Sequence, residues 1–320
     1  MNRGYKRDKM MTPDAGGRFF EDFTLGEKIT HATPRTLESG DIAMYQALYG
    51  GRHILNSSLP AAQSAGYASR PLENWLVFHI VFGKTVSDIS RNAIANLGYA
   101  EGRFLAPVYC GDTVSADTEV IGLRENSNGK SGIVMVRSRG FNQNQEMIVE
   151  YVRWVMVNKR DPAAPSPDPF MPQLVAAVAP ADLVPPPEGI STLDSEQSGS
   201  DKYFDDYETG LFIDHHDGVT LEESEHMLAT RAYQNNARVH FDGLAQLETR
   251  FGKRLIYGGH IISHVRSMSF NGLENAVCVA GLNAGTHAAP AFAGDTIYAG
   301  TRILDKTTLA GVESVGALRL

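Results

Sequence analysis

Two neighbouring stretches hold an unusual density of groups able to move protons and to face an oxyanion. The first, ATRAYQNNARVHFD from Ala229 to Asp242, sets amides, the imidazole of His240 and the carboxylate of Asp242 among apolar residues. A plain surface helix would carry lysines and glutamates there. The second, RLIYGGHII from Arg254 to Ile262, opens an apolar stretch with Gly258 and Gly259 directly after Tyr257. A helix start on bare glycines exposes backbone N–H groups that can hold a developing oxyanion. Histidine, whose ordinary pKa lies near 6.5, exchanges protons at neutral pH. Together these parts could hold a water, exchange its proton and face a carbonyl oxygen that gains charge.

Asn235 cannot act as a base, but it can hydrogen-bond the water and fix its orientation. Arg238 is a candidate for gripping an anionic group, because guanidinium binds carboxylate as a planar fork; Arg52 and Arg231 compete for that role. Plainer readings stand beside these. His240 could be a core histidine satisfied by a backbone carbonyl, Asn235 a turn residue, the arginines solvated, and the glycines a device for close packing. Asp242 either orients His240 or caps a helix. Asp214-His215-His216-Asp217 reads as an exposed turn rather than a metal cluster, since adjacent strand residues point to opposite faces. His79, His260 and His264 are expected to be packed in buried helices, and Asp112 and Asp295 to make hairpin turns.

The elements that position these residues are duplicated. FFEDFTLG at Phe19–Gly26 returns as YFDDYETG at Tyr203–Gly210, an offset of 203 − 19 = 184, and Tyr49 returns as Tyr233 at the same spacing. Later the offset is 183: Pro107, Gly111, Asp112 and Thr113 match Pro290, Gly294, Asp295 and Thr296. A constant offset across scattered anchors marks one fold repeated. The repeat divides the chain into residues 18–160, a proline-rich connector over 161–201, and residues 202–320. Proline at that density sustains neither a helix nor a central strand, so the connector is expected to run over the surface. Each copy reads as a strand, a short helix starting near Thr36 or Thr220, a polar segment, an apolar helix (WLVFHIVFGKTV or GGHIISHVRSMSF) and several strands of period two. An α+β arrangement, an antiparallel sheet wrapped around a central apolar helix in each half, buries both. The counterpart of Asn158 would fall at 158 + 183 = 341, beyond Leu320, so either the sequence is trimmed or the second sheet lacks its final strand.

A net charge of −8 opposes a nucleic-acid footprint and points to a small-molecule partner. Two cysteines, Cys110 and Cys278, are too few for a disulfide framework. No apolar run reaches the roughly 18 residues of a membrane span, and the basic head MNRGYKRDKM has no apolar segment behind it. A cytoplasmic protein without membrane attachment is expected.

The motifs LATRAYQNNARVHFD, KRLIYGGHIISHVRSMSFNGL, LVFHIVFGKTVSDIS and the paired APVYCGDT and APAFAGDT carry a resemblance to the MaoC-like dehydratases of double-hotdog type. Within them the chain is similar to the mesaconyl-CoA hydratases. The resemblance implies a duplicated hotdog fold and a hydro-lyase that reversibly hydrates a short branched enoyl-CoA carrying its own carboxylate. It implies His240 and Asn235 as catalytic residues, and Gly258, Gly259, Arg238 and Tyr257 as substrate-binding. No metal or redox cofactor is implied, CoA being part of the substrate, and a homo-oligomer is expected. The family's aspartate falls on Asn235, its histidine on His240 and its intervening asparagine on Ala237. In the first copy Gly51 and Asn56 occupy the catalytic places, so the second copy is expected to catalyse while the first shapes the pocket. The competing classes are an (R)-specific hydratase of other acyl chains, a hotdog thioesterase and a non-catalytic acyl-CoA binder.

Overall fold

The computed structural model describes residues 16–309 and 311–320; the basic head MNRGYKRDKM lies outside them. The first copy runs β1 (Lys28–Thr36), α1 (Ser39–Tyr49), the short α2 (Ile54–Ser57) and α3 (Leu59–Ser64), the long α4 (Asn74–Ile89), then β2 (Ala93–Phe104), β3 (Thr113–Glu125), β4 (Ser131–Phe141) and β5 (Met147–Asn158). A connector holding α5 (Ser195–Ser198) leads to β6 (Phe212–Thr220), α6 (Glu223–Ala232), α7 (Arg238–Phe241), α8 (Gly243–Gln246) and α9 (Gly258–Met268). The strands β7 (Gly281–Thr286), β8 (Thr296–Arg302), β9 (Asp305–Leu309) and β10 (Val312–Arg319) follow. Adding 184 to the first residues of β1, α1, α2, α3 and α4 (28, 39, 54, 59, 74) gives those of β6, α6, α7, α8 and α9 (212, 223, 238, 243, 258). Adding 183 to the start of β3 (113) gives that of β8 (296), so the lost residue falls between the start of α9 and β8.

Helix α4 is buried on nearly every face because one side packs on β1, β3 and β4 while the other meets α9. The sheet is antiparallel in the order β1-β3-β4-β5-β2-β7, with Tyr99 opposite Gly285 where the copies meet. This departs from one sheet per copy. In the second copy β6–β8 and β9–β10 form separate pairs, and β7 extends the first copy's sheet. The reason is the missing bridge: β5 joins β4 to β2 in the first copy, and no described strand plays that part between β10 and β7. A cavity of about 680 Å³ lies there, with Ile262, Val265, Leu282 and Leu318 in its lining.

Local details also differ from expectation. Thr36 and Thr220 start no helix; they end strands, and their hydroxyls bond those of Thr113 and Thr296 at 2.8 and 2.9 Å. Helix α1 begins later, where the Glu38 N–H donates to Asp41 Oδ2 at 2.9 Å. Asp214 to Asp217 form a bulge inside β6, not an exposed turn. There His215 is buried, with Nδ1 on the Asn271 carbonyl at 2.7 Å and Nε2 on Thr301 Oγ1 at 2.8 Å, which leaves neither nitrogen for a metal. The connector lies along the surface, pinned by backbone bonds between Phe170 and Leu123 and by buried Ile190 against Ile54, Leu55 and Ala61. No helix among the described residues is long and apolar enough to cross a membrane.

The copies share one core, where Tyr45, Phe78 and Tyr151 cluster with Tyr233 and Tyr257. The equivalent hydroxyls of Tyr49 and Tyr233 bond each other at 2.8 Å. The tightest joint is Gly83 in α4, where a Cβ would lie 1.7 Å from the Tyr233 carbonyl oxygen and 3.1 Å from the Asn235 nitrogen. Backbone cannot yield as a side chain can, so Gly83→Ala is expected to cost about 3 kcal/mol and lower Tm by roughly 5 °C or more. Gly40→Ala in α1 meets no atom within 4 Å and is expected to be neutral or slightly stabilising. Calorimetry of the two variants checks the contrast.

Candidate active site

The turn after α6 aims the catalytic candidates. The Asn235 N–H donates to the Thr230 carbonyl at 3.1 Å, and Asn235 Oδ1 accepts the Ala237 N–H at 3.0 Å, a local bond of the kind asparagine favours in turns. Asn235 is buried and keeps its Nδ2 hydrogens for a ligand. The single turn of α7 then presents His240, whose Nδ1 lies 2.9 Å from the Leu255 carbonyl oxygen. A carbonyl only accepts, so Nδ1 carries the hydrogen and Nε2 keeps its lone pair. The Leu255 segment is itself fixed, since its N–H donates to the Val239 carbonyl at 3.2 Å and the Ile256 N–H to Ala291 at 2.9 Å. Burial holds the His240 pKa down at about 4, although the Leu255 bond pulls the other way. The ring is therefore a neutral imidazole at pH 7.

Beside it begins α9. The His240 ring centroid is 5.7 Å from that of Tyr257, the residue before the helix. The Tyr257 N–H donates to His226 Nε2 at 2.9 Å, so the next donors along the chain belong to Gly258 and Gly259, first-turn amides with no intrahelical partner. Neither position has room for a side chain. A Cβ on Gly258 would lie 2.2 Å from His287 Cε1, and one on Gly259 2.3 Å from the Tyr257 ring.

Behind the helix start the seam between the copies is filled with neutral polar rings. His79 Nε2 meets Ser263 Oγ at 3.0 Å, Ser263 also pairs with Tyr45 Oη at 2.9 Å, and Tyr49 Oη meets His260 Nδ1 at 2.8 Å. His260 and His264 share a bond between their Nε2 atoms at 3.2 Å. As expected, His79, His260 and His264 are packed in buried helices.

Arg238 on α7, Arg231 on α6 and Arg52 after α1 are exposed. The inner side of a one-turn helix is already taken by Val239 and His240, which leaves Arg238 to solvent. Asp242 caps α8, its Oδ1 accepting the Ala245 N–H at 2.9 Å, so it does not orient His240. In the first copy Asn56 stands in the place of His240 and spends its amide on the Pro71 carbonyl at 3.2 Å. Two residues escaped the sequence reading: His226, and Arg153, which is buried in β5. For His226 a signal existed, because it shares a helix face with Ala229, Thr230 and Tyr233, all buried.

Burial depresses His79 and His226 to about 3, His260 to about 2 and His264, like His240, to about 4. In the unfolded chain they titrate near 6.5. The unfolded state therefore binds protons first, so stability is full above pH ~6.5 and lost as pH falls through that value towards the folded pKa values. The calorimetric Tm should be nearly level from pH 7 to 8 and drop steeply between 6 and 4.5; a level Tm down to 4.5 would contradict neutral burial of these rings.

A model of the mesaconyl-CoA hydratase family matches residues 6–320. The chain is 57% identical over 305 residues to a β-methylmalyl-CoA dehydratase of Chloroflexus aurantiacus, covering 95% of this chain and 87% of the relative. It is 56% identical over 306 residues to a mesaconyl-CoA hydratase of Cereibacter sphaeroides, covering 95% and 88%. The crystal structure of a MaoC domain dehydratase from Chloroflexus aurantiacus superposes with a TM-score of 0.94 at 56% identity, over 98% of this chain and 88% of that one. A Mycobacterium tuberculosis protein with a double hotdog fold has a TM-score of 0.75 at 23% identity, covering 95% and 90%, a likeness of fold alone. The chain is a double hotdog and belongs to the mesaconyl-CoA hydratase family.

Proposed function

We propose that this protein reversibly hydrates mesaconyl-CoA to β-methylmalyl-CoA. The observation that carries the mechanism is the bond from His240 Nδ1 to the Leu255 carbonyl, which reserves Nε2 as a base beside the start of α9. In this reading Nε2 takes a proton from water as the water oxygen bonds to C3 of the acyl group. The π electrons of the double bond shift towards C2 and the thioester carbonyl, and the enolate oxygen accepts hydrogen bonds from the Gly258 and Gly259 amides. The imidazolium then gives its proton to C2, so base and acid are the same ring and no proton is consumed. Addition of water leaves the overall oxidation state unchanged, so the reaction calls for no redox cofactor, and no metal is invoked. Tyr257 forms the wall between His240 and α9. The reading extends to a cytoplasmic homo-oligomer, supported by the unpaired cysteines and by exposed Phe212 and Tyr298 on the β6–β8 pair.

Asn235 suits this substrate. With Oδ1 committed to Ala237, it offers only N–H donors, which can orient the water oxygen or accept the substrate carboxylate as neighbour. An aspartate there would face that carboxylate, and two unit charges about 4 Å apart at an effective dielectric near 20 repel by about 4 kcal/mol. Followed by the ultraviolet absorbance of the conjugated thioester, the enzyme should prefer mesaconyl-CoA to crotonyl-CoA by roughly 100-fold or more in kcat/KM, and Asn235→Asp should lower activity on mesaconyl-CoA by roughly 10- to 100-fold. Preference for crotonyl-CoA, or a more active Asn235→Asp enzyme, would contradict the assignment.

A further inference from the structure

Arg238 is exposed and Arg254, near His226, is paired with Glu223 at 2.7 Å, whereas the interior holds a cation with no carboxylate partner among the described residues. Arg153 on β5 is fully buried. Its guanidinium donates to Thr85 Oγ1 at 2.8 Å and Ser90 Oγ at 3.3 Å, lies 4.3 Å from the Phe82 ring and leaves Nε without a partner. Among the described residues no carboxylate pairs with it, whereas buried Arg266 has Glu73 at 3.5 Å and buried Lys159 has Glu125 at 3.1 Å. A buried charge answered only by hydroxyls is costly to the fold, so its retention calls for a ligand. Tyr151, two residues earlier on the same strand face, has its buried hydroxyl beside Ser138 and Thr85, the latter shared with Arg153.

The surroundings connect this pair to the helix start. Phe82, against which Arg153 packs, is 5.5 Å from the Tyr257 ring and 6.2 Å from Tyr99. Tyr99 in turn contacts His287, the residue against which Gly258 lies. The positive charge of Arg153 is felt by the phenols of Tyr99, Tyr151 and Tyr257. Lys84, also buried and without a carboxylate among the described residues, already gives its ammonium to the Thr33 carbonyl at 2.6 Å and to Gln234 Oε1 at 3.4 Å.

We infer that Arg153 is the specificity-determining counter-charge for the free carboxylate of the acyl group, drawing it between Tyr257 and Tyr99 into the interior of the first copy. This rests on the mesaconyl-CoA reading above. It assigns the first copy a chemical part in selection: the second copy supplies base and amides, the first the cation that separates a dicarboxylic from a simple enoyl thioester.

The test compares Arg153→Met and Arg153→Lys with the parent enzyme on mesaconyl-CoA and crotonyl-CoA, together with their Tm values. For Arg153→Met the ratio of kcat/KM on mesaconyl-CoA to that on crotonyl-CoA should fall at least 30-fold, chiefly through KM. Its Tm should equal or exceed the parent's, since an unpaired charge has left the core. Arg153→Lys keeps the charge and should retain an intermediate ratio; it also serves should the methionine variant fail to fold. An unchanged ratio in the lysine and methionine variants, or equal loss on both substrates with a lowered Tm, would overturn the assignment and leave the hydratase reading standing. A parent enzyme inactive on mesaconyl-CoA would overturn the function itself.

Discussion

Burial of imidazole in the seam between the two copies is the constraint on which the site depends. A histidine taken out of water loses its charge before it loses its place, provided each ring nitrogen finds a partner of the right kind. Tyr49, Ser263 and the Leu255 carbonyl provide such partners for His260, His79 and His240, and Tyr257 lends its backbone N–H to His226. The result is a set of neutral rings at physiological pH, among which His240 has its Nδ1 occupied and its basic nitrogen reserved. The same arrangement makes the fold sensitive to acid, because the seam that keeps His240 neutral is the seam that holds the copies together.

Duplication lets the two tasks separate. The first copy completes its sheet, including β5, and buries α4 on nearly all sides; its Asn56 serves structure through the Pro71 carbonyl. The second copy keeps the chemical residues on short, strongly tethered pieces, the turn from Thr230 to Ala237 and the start of α9. Gly83 brings α4 into direct contact with that turn, so the scaffold of one copy fixes the backbone of the other at Tyr233 and Asn235.

Much of this was legible in the sequence. The offset of 184 located the equivalent strands and helices, the apolar runs located α4 and α9, and the pairing of His240 with a glycine helix start pointed to one centre. What stayed hidden has a common physical cause. Strand periodicity shows that alternate residues of MIVEYVRWVMV face opposite ways, but in a strand apolar on both faces it cannot say where Arg153 points. The pairing of β7 with β2 is a contact between distant segments with no local signature. Arg238 attracted attention through its chemistry, yet the one-turn length of α7, which decides its exposure, is set by tertiary contacts with Leu255. Asp242 could not be told apart as cap or partner until the α8 turn was seen.

The most direct test of the account is a crystal structure of the enzyme with β-methylmalyl-CoA bound. His240 Nε2 should lie within hydrogen-bonding distance, about 2.6–3.2 Å, of the C3 hydroxyl while the thioester oxygen faces the Gly258 and Gly259 amides. A thioester seated elsewhere, for example in the cavity between β7 and β10, with the His240 ring out of contact with the acyl group, would contradict it.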